Sequence, residues 1–115
     1  MVRFDLAKES KRTKLNSRSK VLGRLDGRTV GISRFAAHPR WEMHPNGDEL
    51  LQIVEGKLEL TLLTGKRNAP RVLRRNDVVV IPRGVWHSPI PRGSVCLLHI
   101  ADYRGTKVSN AEDPR

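Results

Sequence analysis

The spacing of turns constrains the fold of this chain more than any other feature. From Val21 to Tyr103, short β-branched or alternating apolar runs are separated by Gly, Pro and Asn at even intervals. RTVGISRF (28–35) lies between a glycine and the loop AAHPR. RWEMH (40–44) is closed by PNGD (45–48). ELLQIVEG (49–56) and KLELTLLTG (57–65) follow, the second with Leu58, Leu60 and Leu62 on one face. KRNAP (66–70) is a turn, PRVLRR (70–75) an edge strand opening at a proline, and DVVVIPRG (77–84) a buried strand ended by Pro82 and Gly84. WHSPI (86–90) and SVCLLHIADY (94–103) complete the set. No segment carries a convincing helical period, and no long internal repeat is visible. The pattern predicts an all-β sandwich or barrel.

A chain of 115 residues supports a single core and therefore one domain. Residues 1–20 have little apolar periodicity and read as a basic arm or edge segment, 21–103 as the β domain and 104–115 as a polar tail. The net charge is +10, with Lys8, Lys11, Arg12, Lys14, Arg18 and Lys20 in the arm and Lys66, Arg67, Arg71, Arg74 and Arg75 around a loop. Such charge attracts nucleic acid, anionic surfaces or anionic small molecules, although a solvated basic surface accounts for most patterns of this kind. Aromatic residues make up 4% of the chain and do not interleave with the basic clusters, which argues against a stacking platform for nucleic acid. No apolar run approaches the roughly 18–20 residues that span a bilayer. The start of the chain lacks the apolar stretch of a signal peptide, and Cys96 is its single cysteine. The expectation is a cytoplasmic protein without membrane contact.

A carboxylate–histidine constellation lies near the centre of the sequence. If 40–44 and 49–55 pair as a hairpin across PNGD, His44 and Glu49 face each other, and Glu42 shares their side. Glu49, Leu51 and Ile53 then form one inward row headed by a carboxylate, which is costly to bury without a compensating partner. A metal ion, a histidine or an arginine would serve. His87, after PRGVW, adds a second imidazole. Two imidazoles and a carboxylate on facing strands are the ligand set of mononuclear iron sites with open positions, and the same set holds Mn, Ni or Zn. The alternation also permits the opposite orientation, with Trp41 and Met43 inside and Glu42 and His44 in solvent. Residue types alone leave both open.

Read together, the two segments resemble the cupins, whose motifs are G-x5-H-x-H-x(3,4)-E-x6-G and G-x5-P-x-G-x2-H-x3-N. His44, Glu49 and Gly56 match the second half of the first motif, and Pro82, Gly84 and His87 the centre of the second, at the correct spacing. The resemblance covers about residues 28–101 and implies a cupin-type jelly-roll β-barrel in a single domain. Ala36, Asn76 and Pro91 depart from the pattern at the first glycine of each motif and at the terminal asparagine. Asn76 is a mild change, because asparagine tolerates a left-handed backbone. Glu42 is the serious departure, since it stands where the first metal-binding histidine is expected.

The resemblance implies that Glu42, His44 and Glu49 face the barrel interior and that His87 approaches them. His44, Glu49 and His87 would hold a divalent ion (Fe, Mn, Ni or Zn). Glu42 would be a fourth ligand or a catalytic proton-transfer group. Trp41 and Met43 would lie on the outer face, exposed, where many cupins form a homodimer. The implied function is a small metal-dependent cupin acting on a small molecule, an anionic metabolite being one candidate class. The alternative is a non-catalytic ligand-binding or sensing module with a degenerate or empty site. Among other residues, His99 faces the cavity or is a hydrogen-bonded core histidine, His38 is a loop residue and Cys96 a buried small hydrophobe. Trp86 lines the mouth or simply packs. Arg34, Arg83 and Arg92 are candidates for recognising a carboxylate or phosphate.

Overall fold

The computed structural model describes every residue except Ser17, Arg18 and Arg67, so two members of the basic clusters lie outside the described residues. Eight strands follow one short helix: β1 (Lys20–Leu25), β2 (Arg28–Phe35), β3 (Trp41–Met43), β4 (Glu49–Leu62), β5 (Arg71–Leu73), β6 (Val78–Ile81), β7 (His87–Ala101) and β8 (Lys107–Ser109). The expected all-β barrel is present, and its pairing is antiparallel throughout the named strands.

Two long strands organise the barrel. The runs ELLQIVEG and KLELTLLTG, which read as separate strands, are one strand, and so are WHSPI and SVCLLHIADY. β4 pairs with β7 along nearly its whole length, and the register slips at Ile53/Glu55 and at Gly56/Leu58. Gly56 has φ +83° there, a conformation that glycine adopts without the steric cost a side chain would add. Such irregularities bend and twist a strand. The first half of β4 therefore pairs with β6 and the second with β5, and each long strand serves two faces of the barrel. Asn76 has φ +74°, in keeping with its place at a glycine position of the motif.

Alternation along β4 builds the interior. Leu51, Ile53, Leu58 and Leu60 are buried and join Leu73, Ile81, Val95 and Leu97 in one core. At about 1.5–3 kcal/mol for each large apolar side chain removed from water, this cluster dominates the driving force. Leu62 packs at its margin. Outside the barrel wall a smaller cluster of Leu22, Ile32 and Cys96 lies close to the helix segment.

Three expectations are corrected. Residues Leu6–Arg12 form helix α1, capped by Asp5, whose side chain accepts from the Lys8 amide. Its inward residues are Glu9 and Ser10, so it lacks the apolar stripe by which an amphipathic helix is recognised. Arg34 docks it by donating to the carbonyls of Ser10 and Thr13. Second, the hairpin of 40–44 with 49–55 does not form. β3 pairs with β7 and β8, and the PNGD loop is tied to the turn before β7 by Gly84 N to His44 O and Arg83 N to Asp48 Oδ1. Third, Trp41 is not exposed. The chain at 107–109 forms β8 beside β3, and the indole Nε1 donates to the Ala111 carbonyl, so Trp41 is buried and Met43 partly buried.

Candidate metal centre

The site is made by the pairing that replaces the expected hairpin. Glu42 on β3 lies directly opposite His87 at the start of β7, so their side chains share one face. His44 follows β3 and Glu49 opens β4, which brings both into the same interior. His44, Glu49 and His87 are buried, and Glu42 nearly so. One donor atom from each of the four residues lies within 4.8 Å of all the others. His87 Nε2 is 3.0 Å from Glu42 Oε1 and 3.4 Å from Glu49 Oε1, while His44 Nε2 is 3.3 Å from Glu49 Oε1 and 3.7 Å from Glu42 Oε1. The four residues that the motif brought together in sequence are thus together in space.

Hydrogen bonds on the far side of each ring fix its orientation. The Thr106 hydroxyl donates to the Tyr103 carbonyl and so can only accept from His44, whose Nδ1–H therefore points at Thr106, 2.8 Å away. His87 Nδ1–H donates to the Val85 carbonyl at 3.0 Å. Both Nε2 atoms consequently face the carboxylates, the arrangement in which a neutral imidazole presents its lone pair to a metal. The fit to a cation has a direct sign: His44 Nε2 and Glu49 Oε1 are buried and make no hydrogen bond. Their 3.3 Å separation is close enough for an ion pair but poorly aimed for a hydrogen bond. Two nitrogens and two carboxylates suit a divalent transition ion or zinc.

Without such an ion the groups compensate one another. Burial would push the His44 and His87 pKa values down, but the adjoining Glu42 and Glu49 carboxylates outweigh it and raise both to about 9. Burial likewise opposes ionisation of Glu49, yet the His44 and His87 imidazoles beside it bring its pKa down to about 2. Glu42 is held well below the usual carboxylate range despite its burial, by His38, His44 and His87.

Two neighbours escaped the sequence reading. His38, expected only as a loop residue, places Nε2 3.2 Å from Glu42 Oε2 while its Nδ1 donates to the Pro39 carbonyl. Both nitrogens face oxygen acceptors, and the Glu42 carboxylate raises the His38 pKa against the effect of burial. Tyr103 donates to Glu49 Oε2 at 2.7 Å and accepts from His99 Nδ1 at 2.8 Å. His99 Nε2 in turn accepts from the Ser19 hydroxyl at 2.6 Å. His99 is thus both a hydrogen-bonded buried histidine and part of the cavity wall. The spacing of four between His38 and Glu42 was the available signal for the first. No local signal marks Tyr103.

A cavity of about 340 Å³ opens from Glu42 and Glu49. Arg34, Arg83, Arg92 and Trp86 do not line it. Arg34 pairs with Glu55 at 3.0 Å and Arg92 with Glu59 at 3.1 Å, away from the centre.

Residues 34–101 match the Cupin_2 family model, the cupin domain. The chain is 33% identical over 73 residues to the uncharacterized protein YdbB of Bacillus subtilis (strain 168), and this match spans 61% of the chain and 62% of that relative's length. Its fold is similar to that of a cupin-2 domain containing protein from Shewanella frigidimarina NCIMB 400, with TM-score 0.73 and 19% identity over 88% of this chain and 94% of that one. It is also similar to the iron(II) form of HppE in complex with substrate, with TM-score 0.63 and 13% identity over 78% of this chain and 56% of that one.

Proposed function

The chain belongs to the cupin domain family, and on that premise we propose that it is a small metal-dependent cupin whose ion is held by His44, Glu49 and His87, with Glu42 as the fourth donor. The observation that carries this reading is the pair of buried atoms without a hydrogen bond, His44 Nε2 and Glu49 Oε1, 3.3 Å apart. A bound divalent ion supplies Lewis acidity and, with suitable metals, redox chemistry at positions open to the cavity. Around it, the chain's own residues have separable tasks. Thr106 and the Val85 carbonyl orient the two imidazoles. Tyr103 holds Glu49 by its second oxygen and stays protonated, since burial and the Glu49 charge both raise its pKa. His38 holds a proton against Glu42 at the edge of the cavity, where a reacting group would meet it. The ligand is a small molecule seated in that cavity.

The protein is further read as a cytoplasmic homodimer. Buried Cys96 suits a reducing compartment, and no helix among the described residues is long and apolar enough to cross a membrane. Val80, exposed on β6, continues outward-facing across Leu50 and Ile100 to Val30, an apolar row that suits a subunit contact better than the buried Trp41.

A second reading follows from the 3.0 Å contact of Glu42 with His87. In it, imidazolium–carboxylate pairs take the place of the ion and the barrel is a non-catalytic binding module. Titration with Co²⁺, followed by visible absorbance, separates the two. A one-to-one end point that is lost in His87→Ala is expected; no saturable spectrum in the parent protein would favour the binding module.

A further inference from the structure

We propose that the cavity beside the metal centre takes a neutral, largely apolar small molecule of about one ring in size, and that Glu42 sets this preference by lowering the positive charge of the centre. The inference names the ligand class for the site proposed above and rests on that cavity being the ligand site.

The charge of the wall is the first observation. The chain carries 22 Lys and Arg residues, yet among the described residues none lines this cavity. Its apolar walls are Val21, Phe35, Leu51, Pro89 and Leu97. The hydroxyls of Ser19, Thr29 and Ser33 add neutral polarity. The charged groups that face the space are the carboxylates of Glu42 and Glu49, together with His38. His38 Nε2 is committed to Glu42 at 3.2 Å. His99 has both nitrogens occupied, by Ser19 and Tyr103, and the Tyr103 hydroxyl is committed to Glu49.

Glu42 is the second observation. Whatever the protonation of His38, a carboxylate at this position makes the centre one unit more negative than a histidine would. Glu42 and Glu49 together cancel the charge of a divalent ion, so an anionic ligand meets a centre with little net attraction for it, and no arginine or lysine among the described residues lines the wall to supply one. The basic surface of the protein therefore does not predict the charge of its ligand. Size follows from the volume: about 340 Å³ lies at the lower end of the roughly 300–1,000 Å³ typical of small-molecule pockets. A polar end on the ligand would face Glu42, Glu49 and His38, and its apolar body would lie against Leu51 and Leu97.

The test compares 4-methylphenol with 4-methylbenzoate by isothermal titration calorimetry near neutral pH, using the full chain with metal content measured on the same sample. The two probes share a ring and differ in charge, since a phenol ionises near pH 10. The phenol is expected to bind at least about tenfold more tightly. Glu42→Gln, which keeps the shape and removes the charge, is expected to narrow that ratio at least about threefold. Equal or tighter binding of the benzoate by the parent protein, or binding of neither probe, would overturn the inference. Protein that stays metal-free after loading with Fe, Mn, Ni or Zn and still prefers the phenol would defeat the metal assignment and leave this one standing. Metal-loaded protein that prefers the benzoate would do the reverse.

Discussion

His44 Nε2 and Glu49 Oε1 lie 3.3 Å apart in the barrel interior, both buried and neither hydrogen-bonded. A native interior rarely leaves two such atoms facing each other, because each unpaired buried polar group costs about 1–3 kcal/mol. A shared cation removes the cost for both. The chemistry proposed for this protein depends on that relationship, and several consequences are measurable.

Metal binding should release protons. In the metal-free protein His44 and His87 are held protonated to about pH 9 by Glu42 and Glu49, and a metal needs their neutral form. Affinity should therefore fall steeply as pH is lowered from about 9 to 6, and the binding enthalpy should depend on the ionisation enthalpy of the buffer. Calorimetry in two buffers checks this; an affinity independent of pH over that range would contradict it.

The metal-free protein should be most stable between about pH 4.5 and 6.5. The histidine pKa values rise from 6.5 unfolded to about 9 folded, so their contribution is complete below 6.5 and is lost as pH rises through 9. Glu49 falls from 4.5 to about 2, so its contribution is complete above 4.5 and is lost as pH drops towards 2. Denaturant unfolding of chelator-treated protein across this range should show decline on both sides. Bound metal should remove the alkaline decline, because it requires the deprotonated imidazoles.

Tyr103→Phe should destabilise the protein by about 1.5–3 kcal/mol, the worth of a hydrogen bond to a buried charge. The lost donor is the one that holds Glu49 Oε2 at 2.7 Å. Residues that orient metal ligands typically alter affinity about 10–100-fold. Metal competition assays should show that weakening, with the stoichiometry kept.

Gly31→Ala tests the packing of the chain from Ser19 to Glu49. A Cβ at Gly31 would lie 2.5 Å from His99 Cε1 and 2.9 Å from its Nε2, so the imidazole that bonds Ser19 must shift. Overpacking of this kind costs about 1–3 kcal/mol. Thermal unfolding should register it, and an unchanged midpoint would show that His99 moves freely.

What could be read from the sequence divides along local and non-local lines. His44, Glu49 and Gly56, and likewise Pro82, Gly84 and His87, keep a spacing that locates the inward faces, and the burial of Glu49, Leu51 and Ile53 agrees with it. The partner of β3 was not legible. PNGD suggests a hairpin, whereas the loop is held by Gly84 and Arg83 from a distant turn. Because β3 lies instead between β7 and β8, Trp41 is covered by a segment that reads as polar tail. Tyr103 and His38 reach the site through the paths of loops, which leave no period in the sequence. Helix α1 buries Ser10 and Glu9 rather than an apolar stripe, so it lacks the pattern by which helices are found.

The most direct test of the central claim is metal content, by plasma mass spectrometry, of untagged protein purified without chelator or added metal, beside His87→Ala. The account predicts close to one Fe, Mn, Ni or Zn per chain in the parent protein and most of it lost in the variant. Parent protein that stays empty even after loading with each of these metals, or a variant that keeps its full complement, would contradict it.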